Sequence, residues 1–92
     1  MSDWRWQYSP DAEHVIGGLT PGQVADVEAA ARRVTDAVAV ARIGAPDDGQ
    51  EAGSRLKEHA EGSLIIWYQE WYLRDVVLIM RVQHLGPGGE GG

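Results

Sequence analysis

The amino-acid sequence predicts an α+β domain: an N-terminal strand, a two-helix hairpin, then an antiparallel sheet of about three further strands. Three observations carry that reading. Trp4, Trp6 and Tyr8 alternate with Arg5, Gln7 and Ser9, the period of a half-buried strand. Val24, Val27, Ala31, Val34, Val38 and Ala41 recur at spacings of three and four, one face of a long helix. The stretch from Leu64 to Leu85 is rich in β-branched and aromatic residues, with one short polar break. Helical signals thus lie together between strand signals, which favours segregated α+β over an alternating, doubly wound order.

Each element has its own justification. After the first strand, Ser9-Pro10-Asp11 offers a cap, a proline for the first helical position and acid in the first turn. A short helix is expected from Pro10 to about Ile16, broken by Gly17-Gly18. Thr20-Pro21-Gly22-Gln23 has the form of a capping box, so the long helix should run from there to about Arg42. Gly44 and Pro46 are its stop signals, and Ala45 to Ser54 reads as an exposed loop. Arg55 to Ala60 is a candidate short strand turning at Glu61-Gly62. Leu64 to Tyr72 and Val76 to Leu85 are two longer strands joined at Leu73-Arg74-Asp75. Strict alternation along the last strand would turn Val76, Leu78, Met80 and Val82 toward the helices. Val77, Ile79, Arg81 and Gln83 would then face away. The chain reads as one domain over residues 1–85, followed by a flexible glycine-rich tail over 86–92.

Composition narrows the function. The 92 residues suffice for one core. Cysteine is absent, which excludes disulfides and thiolate metal sites. His14 and His59 beside Glu13 and Glu58 have no spacing that suits a closed metal site, so neither a metal nor another cofactor is expected. No apolar run is long enough to cross a membrane, and the N-terminus has no signal-peptide pattern; the expected compartment is the cytoplasm. The formal net charge is −6, the wrong sign for a chain that holds nucleic acid by neutralising phosphates. From Arg55 onward the balance evens out: Arg55, Lys57, Arg74 and Arg81 stand against Glu58, Glu61, Glu70 and Asp75. All seven aromatic residues lie in two runs, Trp4 to Tyr8 and Trp67 to Tyr72, so these two segments should meet.

The ordered set of local patterns resembles the RelE/ParE toxin superfamily of bacterial toxin–antitoxin pairs. Trp6-Gln7-Tyr8-Ser9-Pro10-Asp11-Ala12 is similar to that family's opening strand and helix start. Leu19-Thr20-Pro21 matches the leucine ahead of its second helix. Arg55-Leu56-Lys57, then Gly62 and a strand carrying Tyr68, looks like its second and third strands; Val82-Gln83-His84 resembles its closing Val-x-His. The resemblance spans roughly Trp4 to Leu85. It implies a helical hairpin against a curved sheet, a target that is ribosome-bound mRNA or DNA gyrase, and neutralisation by an antitoxin. The sequence also departs from the pattern. Nuclease members carry an arginine after the glycine that opens the third strand, where this chain has Ser63-Leu64-Ile65; they commonly close with Arg or Tyr, where it has His84-Leu85. They are basic; this chain is acidic.

Carried over residue by residue, Lys57 and His84 match positions that bear chemistry in the nuclease members. Cleavage of RNA through its 2′-hydroxyl needs a base, an acid and a cation for the phosphate. His84 is the candidate acid or base, and Lys57, Arg55 and Arg81 are candidate phosphate or partner contacts. The plain alternatives are a strand-end histidine that caps the sheet and a charged, solvated edge strand at Arg55 to His59. Strand alternation also puts Arg81 and His84 on opposite faces. Trp67 and Trp71, with Val77 and Ile79, are the candidate interface residues, for a homodimer or an antitoxin-like partner. The resemblance implies two functions. One is a toxin-like component, at most a weak ribosome-dependent endoribonuclease. The other is a catalytically silent interaction domain of the same fold. An unrelated small interaction domain is the third possibility.

Overall fold

Residues 4–42 and 55–86 are described by the structure, a computed structural model. The elements are β1 (Arg5–Tyr8), α1 (Ala12–Ile16), α2 (Pro21–Arg42), β2 (Lys57–Glu61), β3 (Leu64–Trp71) and β4 (Val76–His84). They form an α+β fold with a four-stranded sheet in the order β1-β4-β3-β2. β2, β3 and β4 are antiparallel neighbours, whereas β1 joins β4 in parallel and makes the sheet mixed. The helices carry the chain back across the sheet between β1 and β2, so β1 is free to run beside β4 in the same direction. The expected loop over 45–54, the Gly44 stop and residues 87–92 of the tail lie outside the described residues.

Helix starts show how local chemistry sets boundaries. The capping box at α2 forms as the sequence implies: the Gln23 amide donates to Thr20 Oγ1 (3.1 Å), and the Thr20 amide donates to Gln23 Oε1 (3.0 Å). At α1 the cap is Asp11, not Ser9; its carboxylate accepts from the His14 amide at 2.9 Å, so helix begins two residues later than expected. Gly62 sits at φ 58 in the two-residue turn between β2 and β3, a conformation that glycine adopts without a Cβ penalty. Asp75 takes a similar φ of 52 at the end of the β3–β4 turn, and short Asp side chains tolerate it.

One face of the sheet, the inner face, carries both helices. Val27, Ala30, Ala31, Val34 and Val38 of α2 bury against Leu64, Ile66, Val77 and Ile79, with Val15, Ile16 and Leu19 packed alongside. The small alanines let the helix axis approach the sheet closely. Thr35 is buried in the same region and satisfies its hydroxyl on the Ala31 carbonyl at 2.7 Å. The aromatic runs do meet: Trp4 stands edge-on to Tyr72 with centroids 6.4 Å apart.

The facing of β4 differs from the sequence expectation. Val77 and Ile79 are 0% exposed within the core, so they point to the helices and cannot form part of a surface interface. The physical reason is a β-bulge. Trp67 pairs with Arg81 but its neighbour Tyr68 pairs with Ile79, leaving Met80 as the extra residue. An inserted residue reverses the alternation. Val77 and Ile79 face inward before the bulge; Val82 and His84 face inward after it. Arg81 stays outward, as expected.

Candidate partner-binding face

The four ionisable candidates do not converge. Lys57 opens β2 and is paired in register with Tyr68; His84 ends β4 and is paired with Leu64. The four-residue offset along β3 separates them by roughly 13 Å of strand rise. Arg81 lies on the opposite face of the sheet, and Arg55 is exposed ahead of β2.

His84 is held on both ring nitrogens. The Gly86 amide approaches Nδ1 at 3.1 Å, and an amide N–H can only donate, so Nδ1 is the acceptor. The proton is therefore assigned to Nε2, which donates to Asp26 Oδ2 at 2.9 Å. The ring is 4% exposed. Gln23 completes the arrangement by donating from Nε2 to the Gly86 carbonyl at 2.9 Å. These contacts fasten the end of β4 to the first turns of α2, the work of a strand-end cap. No ring nitrogen is turned to solvent for proton transfer to a substrate.

Lys57 is held as well. Its ammonium donates to Glu70 Oε2 at 3.0 Å, and the Tyr72 hydroxyl donates to Glu70 Oε1 at 2.9 Å. The Glu70 hydrogen bond, with its charge, pushes the lysine pKa above its ordinary value. Further along β2, Arg33 of α2 forks onto both carboxylate oxygens of Glu61, and His59 Nε2 lies 2.8 Å from Glu61 Oε1. The Arg33 hydrogen bonds, supported by His59, hold the Glu61 carboxyl below the usual range. Tyr8 behaves differently. Its hydroxyl is buried without a hydrogen-bond partner among the described residues, and burial, reinforced by Glu28, pushes its pKa up to about 12. It is a neutral phenol at physiological pH.

The outer face of the sheet has another character. None of the described elements packs over it. Arg81 there lays its guanidinium 5.2 Å from the centroid of the Trp67 ring, its direct cross-strand neighbour. Trp71, on the same face by alternation, is 37% exposed. Ile65 and Leu78, half-buried, extend the surface, and Arg5 adds a cation on β1. Of the interface candidates, then, the structure stacks Trp67 against Arg81, sets Trp71 on the same face four residues further along β3, and sends Val77 and Ile79 inward.

Sequence reasoning missed Asp26, Glu70 and Glu61 as the acceptors of these groups. Asp26 precedes His84 by 58 residues, and only the fold makes them neighbours. Compared with known proteins, the chain matches no family model, no curated protein and no solved structure. No helix among the described residues is long and apolar enough to cross a membrane.

Proposed function

We propose that this chain is a catalytically silent protein-interaction domain with a RelE/ParE-like arrangement, working within a toxin–antitoxin-type pair. Its contact surface is the outer face around Trp67, Arg81 and Trp71. The observation that carries this reading is the Trp67–Arg81 stack on a sheet face that no described element covers. Tryptophan and arginine are the side chains most enriched at the energetic centres of protein interfaces. The internal pairing of Lys57 with Glu70 and of His84 with Asp26 supports the silent form of the fold over a nuclease.

The test is co-purification with the product of an adjacent reading frame, followed by titration of the isolated pair. Trp67→Ala and Arg81→Ala, each folded by circular dichroism, should weaken binding about tenfold or more, the loss typical of interface anchors. Binding indifferent to both would remove the outer face. Growth arrest on induction, with cleavage of mRNA on the ribosome or loss of gyrase supercoiling, would instead establish the active toxin. Cleavage lost in both Lys57→Ala and His84→Ala would then return the chemistry to those two residues.

A further inference from the structure

β2 is the edge strand of the sheet, and among the described residues no strand pairs with its outer side. Its sequence is Lys57-Glu58-His59-Ala60-Glu61, and none of the five is buried. Exposed strand edges carry unpaired backbone donors and acceptors, and most proteins blunt them with charge. Here the charges are arranged so that the strand is complementary to itself. Set antiparallel to a second copy with all five residues paired, Lys57 falls opposite Glu61 and Glu61 opposite Lys57. His59 lies on the two-fold axis, and Glu58 meets Ala60. Opposite charges directly across an antiparallel pair are favourable.

Accessibility agrees with this pairing. Lys57, His59 and Glu61 share the inner face by alternation, and the Lys57 and Glu61 side chains are 46% and 32% exposed. Their existing bonds, Lys57 to Glu70 and Glu61 to Arg33 twice and to His59 once, still leave two ammonium donors and about one carboxylate acceptor site, because an ammonium has three donors and a carboxylate about four acceptor sites. The other edge lacks this property. β1 set against itself would put Arg5 opposite Tyr8 and Trp6 opposite Gln7, with no charge pair.

We infer that β2 is a self-complementary docking edge that joins two copies of the chain in a two-fold dimer, fusing two four-stranded sheets through the Lys57–Glu61 cross pairs. A two-fold axis normal to the sheet keeps the helices of both copies on one side. The two outer faces, each with its Trp67 and Arg81, then form one continuous surface. Because five residues a side make a small contact, the dimer is weak and concentration-dependent.

Charge reversal tests this directly. Lys57→Glu places two carboxylates opposite each other, and Glu61→Lys places two ammonium groups so; either alone should raise the dimer dissociation constant roughly tenfold or more. Mixed together, the two variants restore both cross pairs, so the mixture should sediment as a heterodimer at low salt while each component stays monomeric. Loss of fold cannot imitate that recovery. In the wild type, hydrogen exchange at those β2 amides that point away from β3 should slow as concentration rises, and exchange at β1 should not. A mixture that sediments as monomer with both variants folded, or a wild type that remains monomeric up to roughly millimolar concentration, overturns the inference. So does concentration-dependent protection at β1 in place of β2.

Discussion

β3 has two antiparallel neighbours, and they are held to the body of the protein by different physics. β4 contributes Val77 and Ile79 to the core, fully buried beneath α2. β2 contributes no buried residue; besides its backbone ladder it is held by Lys57–Glu70 and by Arg33–Glu61–His59. Apolar burial carries no charge to be screened or titrated, whereas partly exposed ion pairs are screened and titrate. The difference teaches how this acidic chain uses its cations. Lys57 and Arg33 serve as clips for an edge strand, so a positive residue that looks like a phosphate contact in the sequence is already engaged in the fold.

The strongest way to sharpen the comparison is to cut into β4. Ile79→Ala should cost about 2–5 kcal/mol, transfer and cavity terms together, a large share of the stability of a small domain. Urea unfolding measures it, and a loss under about 1 kcal/mol would show that β4 is not the apolar half of the contrast. His84→Ala should come next. It leaves the Gly86 amide and the Asp26 carboxylate without their ring partner, for about 1–3 kcal/mol. Faster hydrogen exchange is expected at the end of β4 and the first turn of α2, not in the middle of the sheet.

The smallest effect belongs to β2. Glu61→Gln removes the clip to Arg33 and should lower the melting midpoint by a few degrees at most at low salt, and by less at high salt. Its signature is in acid. The Glu61 pKa is depressed in the folded state by its bonds to Arg33 and His59, so the folded state binds fewer protons there than the unfolded state does. The stabilisation is present above the ordinary glutamate value, about pH 4.3, and disappears as pH falls through the lower folded value. Glu61→Gln should therefore flatten the acid limb of the stability profile. An unchanged limb would mean that the Arg33–Glu61–His59 cluster adds nothing to the hold on β2.

Much of the fold is legible in the sequence because the signals are local. The capping box at Thr20 and Gln23, the three-and-four spacing of α2, the glycine at the β2–β3 turn and the β-rich final third are each read within a few residues. The candidate site is less legible. Val77 and Ile79 were expected outside because alternation counts residues, and the count fails once Met80 is inserted as a bulge. Lys57 and His84 read as free chemical groups because their acceptors are distant in sequence: Glu70 across a strand pair, Asp26 on another element.

By itself, then, the sequence determined the class and order of the elements, since helix caps, hydrophobic periodicity and turn residues act over one or two turns of chain. The tertiary structure alone decided which face each β4 side chain takes, which carboxylate holds each cation, and that Trp67 and Arg81 stack on the uncovered side of the sheet. Those outcomes depend on register and on contacts between residues far apart in the chain, where one bulged residue reverses a face and no local pattern records the partner.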